Sequence, residues 1–113
     1  IAVFQPHLFT RTRDFFREFA KALQIADIVL ITDIYPAREK PIAGVTSKLI
    51  YDQLSNMMEN RCQLVPDLDD LIETLDDIAQ PGDMLITMGA GSIWRYNDSY
   101  VDHLQSMTNG VEG

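Results

Sequence analysis

The segment His7-Leu8-Phe9-Thr10-Arg11-Thr12-Arg13 places an imidazole and two guanidinium groups close together in a chain of formal charge -8 and pI near 4.4. Guanidinium forks and imidazole N–H groups are the side chains that grip carboxylates and phosphates. Beside the free backbone N–H groups of a helix N-terminus they would form an anion site. The two arginines flank the N-terminus of a predicted helix, where a cation costs about 0.3–1 kcal/mol against the macrodipole. The same spacing fits two solvated arginines and a histidine that merely caps the turn after Pro6, so the pattern leaves both readings open. A second constellation, "TDIYPAREKP", offers Asp33 and Glu39 as acid and amine-binding groups, Arg38 as another fork and Tyr35 as a polar aromatic wall. Pro36 and Pro41 restrict the backbone around it. A loop after a strand is also polar for solubility alone, and that reading stays open too.

The elements that must position these residues follow from periodicity. "IAVF" (residues 1–4) reads as a short buried strand, and a helix is predicted over 12–23 with Thr12 as its N-cap and Asp14 in the first turn. Phe15, Phe16, Phe19, Ala22 and Leu23 form its apolar stripe. "ADIVLIT" (26–32) reads as a strand covered on both faces. A second helix begins near Thr46 and Ser47 and turns Leu49, Ile50, Leu54, Met57 and Met58 inward. "RCQLV" is a third strand, after which Pro66 and Asp67 open a helix bearing Leu68, Leu71, Ile72, Leu75 and Ile78. "DMLITM" (83–88) is the fourth strand, and "GAGS" turns into a last helix holding Ile93, Trp94, Val101 and Leu104. This alternation predicts one domain, a Rossmann-like three-layer α/β/α with a mainly parallel sheet. Ligands of such sheets bind at the carboxyl ends of the strands, which here read "QPH", "TDIYPARE", "VPD" and "TMGAG".

The acidic balance disfavours nucleic acid and anionic membrane surfaces as main partners. No apolar run approaches the ~20 residues of a membrane span, and no signal-peptide pattern opens the chain, so a cytoplasmic location is expected. The single cysteine, Cys62, reads as buried core. Asp67, Asp69, Asp70, Glu73, Asp76 and Asp77 look like the solvated face of the third helix rather than a metal site. "ITMGAGSIW" is a tight turn but no dinucleotide fingerprint, since Trp94 stands where the third glycine would be. His103 has no partner in view. Asp33 followed by Pro36 superficially resembles the phospho-acceptor strand of receiver domains, but the acidic pair and the late lysine of that family are missing. The chain starts at Ile1 already inside a strand-like run and reads as a piece excised from a longer protein.

In order and at matching spacing, "FQPHLFTRTRDFFREFA", "ADIVLITDIYPAREKPIAGVTSKLI" and "PGDMLITMGAGSIW" resemble the C-terminal domain of the Mur ligases, in the branch that joins L-alanine to UDP-N-acetylmuramate. The resemblance implies a three-domain cytoplasmic enzyme of peptidoglycan synthesis that uses ATP and Mg²⁺ and passes through an acyl phosphate. It implies that the N-terminal and central domains hold the sugar nucleotide and ATP, and the C-terminal domain the amino acid. Expected of residues 1–113, then, are an amino-acid site, closure over the ATP cleft, no cofactor or metal of their own and no activity alone. Carried over by position, His7 and Arg11 are the expected catalytic pair, Arg11 on a carboxylate or developing oxyanion and His7 orienting the same group. Asp33, Tyr35, Arg38 and Glu39 would line the amino-acid pocket, with Glu39 receiving the amine, while Arg13 belongs to the helix surface. Many members have arginine and tyrosine where this chain has Leu8 and Phe9, which puts a second basic contact in doubt. Another muramyl-peptide ligase, or a non-catalytic α/β binding module, remains the alternative.

Overall fold

Short β-branched and apolar runs separated by amphipathic helices give a computed structural model that describes residues 1–89 and 93–112. The strands are β1 (Ala2–Phe4), β2 (Val29–Ile31), β3 (Cys62–Leu64) and β4 (Ile86–Met88). They form one parallel sheet in the order β3-β2-β1-β4. The helices are α1 (Phe9–Leu23), α2 (Lys48–Met58), α3 (Leu71–Ile78) and α4 (Ile93–Glu112), with a 3₁₀ turn at Leu68–Asp70 leading into α3.

Alternation along β2 sorts the helices onto the two faces. Val29 and Ile31 pack with Ala20 and Leu23 of α1 and with Ile50, Leu54 and Met58 of α2. Leu30 faces the other way, with Val3, and meets Leu71 and Leu75 of α3 and Ile93 and Tyr100 of α4. Val3, Val29, Leu30, Ile31, Ile50 and Leu54 are wholly buried, and each such side chain contributes about 1.5–3 kcal/mol of transfer free energy. The three-layer α/β/α architecture is therefore as the alternation predicts. Cys62 lies in this core, and burial pushes its thiol pKa up.

Several boundaries differ from expectation, for physical reasons. Each strand is three residues long, and all three ladders run over the same three rows of the sheet, Ala2–Phe4 level with Val29–Ile31, Cys62–Leu64 and Ile86–Met88. α1 begins at Phe9, not Thr12. Thr12 is wholly buried, and its hydroxyl donates to the Leu8 carbonyl at 2.9 Å, one turn back. Ala22 is exposed, as are Phe15, Met57, Val101 and Leu104, and Trp94 is 57% exposed with the Arg95 guanidinium over its ring. A stripe says which side chains share a side of a helix, not how far the neighbouring layer reaches across them.

Candidate functional site

β1 and β2 stop at Phe4 and Ile31, yet the two segments keep running side by side past the sheet. Thr32 N–H donates to the Phe4 carbonyl at 3.0 Å, Tyr35 N–H to Pro6 at 2.8 Å and Leu8 N–H to Tyr35 at 2.9 Å. His7 and Tyr35 thus form an isolated parallel bridge. Their rings stack with centroids 6.1 Å apart and planes 20° from parallel. The sequence offered two separate loops; the fold makes them one ledge at the carboxyl rim.

The ledge is bought with backbone strain. Leu8 sits at φ 71° and Ala37 at φ 53°, in the left-handed region that non-glycine residues avoid, at about 1–3 kcal/mol each. Leu8 is held from both sides, its N–H on Tyr35 and its carbonyl under the N–H and hydroxyl of Thr12.

α1 then starts with no side-chain cap from its own N-cap residue and no acid in its first turn. Its orphan donors are met from elsewhere. Phe9 N–H and Thr10 N–H donate to Glu39 Oε1 at 2.6 and 3.2 Å, and the Thr10 hydroxyl donates to Glu39 Oε2. Glu39 is itself set by the turn Pro36–Glu39, closed by its N–H on the Pro36 carbonyl at 2.9 Å. The Thr10 hydroxyl first, then the two backbone donors and the Arg13 charge, hold its carboxyl below the usual glutamate range against some desolvation. Glu39 was expected to face an amine; here its carboxylate faces the helix.

Arg11 follows Thr10 directly, exposed on the first turn, and Arg38 and Asp33 are exposed on the same rim. Arg13 is exposed and pairs with Asp14, Nε to Oδ1 at 2.9 Å, as its surface assignment requires.

Beside the ledge, outside the carboxyl ends of β1, β2 and β3, opens a cleft of about 520 Å³. Asp33 and Tyr35 line it together with Gln5, Asp67, Asp69 and Tyr96, whereas His7, Arg11, Arg38 and Glu39 do not. Asp67 and Asp69, which look solvated on their helix, thus line a cleft, and Gln5 and Tyr96, which no motif marks, line it with them. The "QPH" and "VPD" strand ends were the signal that held two of them. Tyr96 donates its hydroxyl to Asp69 Oδ1 at 3.4 Å, and burial, then the nearby aspartates, raises its pKa. Gln5 is nearly buried and accepts the Ile93 N–H at the start of α4 through Oε1, at 3.3 Å.

The cleft opens outside the carboxyl ends of the strands, where open parallel sheets take their ligands; the switch in strand order itself falls between β1 and β4. A Cβ on Gly89 would stand 2.9 Å from Ile93 Cγ2 and 3.0 Å from Gln5 Cβ, so glycine is required for that close approach. The rest of the expected "GAGS" turn, Ala90–Ser92, lies outside the described residues. Farther along, His103 Nε2 meets Asp76, tying α4 to α3. Among the described residues no group of three or more His, Cys, Asp or Glu side chains is placed to hold a metal ion, and no helix is long and apolar enough to cross a membrane.

Residues 1–91 match the family described as "Mur ligase, glutamate ligase domain". The chain is similar to the UDP-N-acetylmuramate–L-alanine ligase of Cutibacterium acnes, 53% identical over 93 residues that make up 82% of this chain and 20% of that protein. It is similar to the ligases of the same name from Phocaeicola vulgatus, 47% identical over 96% of this chain and 22% of that protein, and Paenarthrobacter aurescens, 48% identical over 90% and 21%. The chain thus spans about a fifth of the length of these relatives.

Proposed function

Since the chain belongs to the Mur ligase family, we propose that it is the C-terminal, amino-acid-binding domain of a cytoplasmic ligase that joins L-alanine to UDP-N-acetylmuramate at the expense of ATP, in peptidoglycan synthesis. The relatives' shared name supports the substrates. The observation that carries the site is the backbone-paired ledge of His7 and Tyr35 with Arg11 on the adjoining helix turn.

In this reading Arg11 grips a carboxylate or the oxyanion that develops as the amine attacks, and His7, stacked on Tyr35, orients the same group. Such interactions supply the positioning and charge stabilisation an acyl transfer needs. Of the acids in the Asp33–Glu39 segment, Asp33 is the one at the cleft, free to meet the ammonium of the amino acid; Tyr35 forms the wall beside it, and Arg38 stands exposed on the rim outside the cleft. In this reading ATP, with its Mg²⁺, is held by the rest of the full-length protein; residues 1–113 contain no G-x-x-x-x-G-K-S/T phosphate loop, and Asp33, Asp67 and Asp69 would repel a triphosphate from this cleft. The full-length reaction then runs through an acyl phosphate: the deprotonated amine presented by this domain adds to its carbonyl, giving a tetrahedral oxyanion that collapses with loss of phosphate while the new amide nitrogen sheds its proton. Alone, the chain would hold L-alanine weakly and turn nothing over.

Arg11→Ala in the full-length ligase should lower kcat/KM for L-alanine roughly 10- to 100-fold, the worth of a charge-assisted hydrogen bond. An unchanged kcat/KM would remove the substrate role of Arg11.

A further inference from the structure

We infer that Glu39 is a positioning residue, which clamps the first turn of α1 to the Tyr35 ledge and so fixes where Arg11 stands, rather than a ligand of the amino acid. This rests on the amino-acid site proposed above.

Three observations lead to it. First, nothing local starts α1: Pro6, His7, Leu8 and Phe9 include none of the usual capping residues, and the N-cap makes no side-chain bond. Second, Glu39 answers three donors of that turn at once, two N–H groups on one oxygen and the Thr10 hydroxyl on the other. A carboxylate has about four lone-pair sites, so an ammonium with three donors would find most of this one taken. Third, the clamp bridges the two segments that the site needs together. Its base is the turn at Pro36–Glu39, its grip is Thr10, and Arg11 is the next residue.

Charge points the same way. The first turn has no acid of its own and carries Arg11. Glu39 supplies from 29 to 30 positions away the negative charge that a helix N-terminus favours. Its lowered pKa, set chiefly by the Thr10 hydroxyl, agrees with a carboxylate held by donors.

The test uses the full-length ligase with L-alanine as the varied substrate and Arg11→Ala as the reference. Glu39→Ala should raise KM for L-alanine about tenfold with kcat within about twofold, the scale of a lost cap transmitted to one binding contact. Glu39→Gln should rescue most of that loss, because its amide oxygen still accepts from Phe9 and Thr10 and its NH₂ donates to the Thr10 hydroxyl. Thr10→Val, which leaves Glu39 untouched, should show a smaller rise in KM and guards against a Glu39→Ala protein that does not fold. Amide hydrogen exchange at Phe9 and Thr10 should lose protection in Glu39→Ala and keep it in Glu39→Gln.

If Glu39→Gln harms KM as much as Glu39→Ala while those amides stay protected, Glu39 meets the amine directly and the inference is overturned. It is overturned as well if Glu39→Ala leaves KM unchanged while Arg11→Ala raises it. An Arg11→Ala protein with unaltered kinetics instead overturns the amino-acid site itself, a distinct failure that the exchange data on the clamp would not produce.

Discussion

α1 and α2 lie on the same face of the sheet and share one apolar core, but they begin in opposite ways. α2 starts from its own neighbourhood: Lys48 N–H donates to the Thr46 hydroxyl at 3.2 Å, and the Lys48 ammonium reaches Asp52 one turn on, at 3.1 Å. α1 starts from a carboxylate roughly 30 residues away, behind a leucine at φ 71°. A helix that only has to cover the core is launched by local chemistry. One whose first turn must be placed against a second loop takes its cap from that loop, so neither segment can move without the other.

Acid should separate the two starts most sharply. Glu39 titrates below the usual glutamate range in the folded chain, with the Thr10 hydroxyl as the main cause. A carboxylate with a lowered folded pKa stabilises fully above its unfolded pKa, about 4.3, and loses that contribution as the pH falls through the lower folded value. Protection of the Phe9 and Thr10 amides from hydrogen exchange, corrected for intrinsic rates, should therefore fall at the acid end of that window toward the level of Glu39→Gln, whose neutral amide still accepts from both, and stay above that of Glu39→Ala. Lys48, capped by a hydroxyl that does not titrate there, should keep its protection. Equal losses at both helix starts would show global acid unfolding instead of a released clamp.

Thr46→Ala should have the smaller effect and of a different kind. It removes a long, local cap and should cost about 0.5 kcal/mol, the low end for such caps, seen as a slightly earlier urea transition of the full-length protein. KM for L-alanine should not change. A changed KM would mean that the start of α2 also shapes the amino-acid site.

The parallel sheet was legible because the alternation of strand-like and helix-like runs is local; the face each helix covers was not, since "ADIVLIT" is apolar throughout and only the packing separates Val29 and Ile31 from Leu30. The segment opening at Pro66 and Asp67 was legible too, and Asp67 Oδ1 does accept the Asp69 N–H at 2.9 Å, but this caps the 3₁₀ turn Leu68–Asp70, and α3 itself begins only at Leu71 with no side-chain cap. α1 was misplaced by three residues for the complementary reason. Thr12 looks like a cap in the chain but is buried one turn inside the helix, while the true cap is remote and leaves no pattern near Phe9. The ledge was legible as two loops at strand ends, not as a pairing, because the His7–Tyr35 bridge depends on β1 and β2 being neighbours. Asp67 and Asp69 were read from their helix alone, where they look solvated; only the strand order puts them across a cleft from Asp33.

The most direct test is a double-mutant cycle between Arg11 and Glu39 in the full-length ligase, read as kcat/KM for L-alanine. If Glu39 works by holding Arg11 in place, Glu39→Ala should cost much less once Arg11 is already alanine, so the two losses fall well short of multiplying. Losses that multiply in full would mean that the two side chains serve the reaction independently, and the clamp would have no part in placing Arg11.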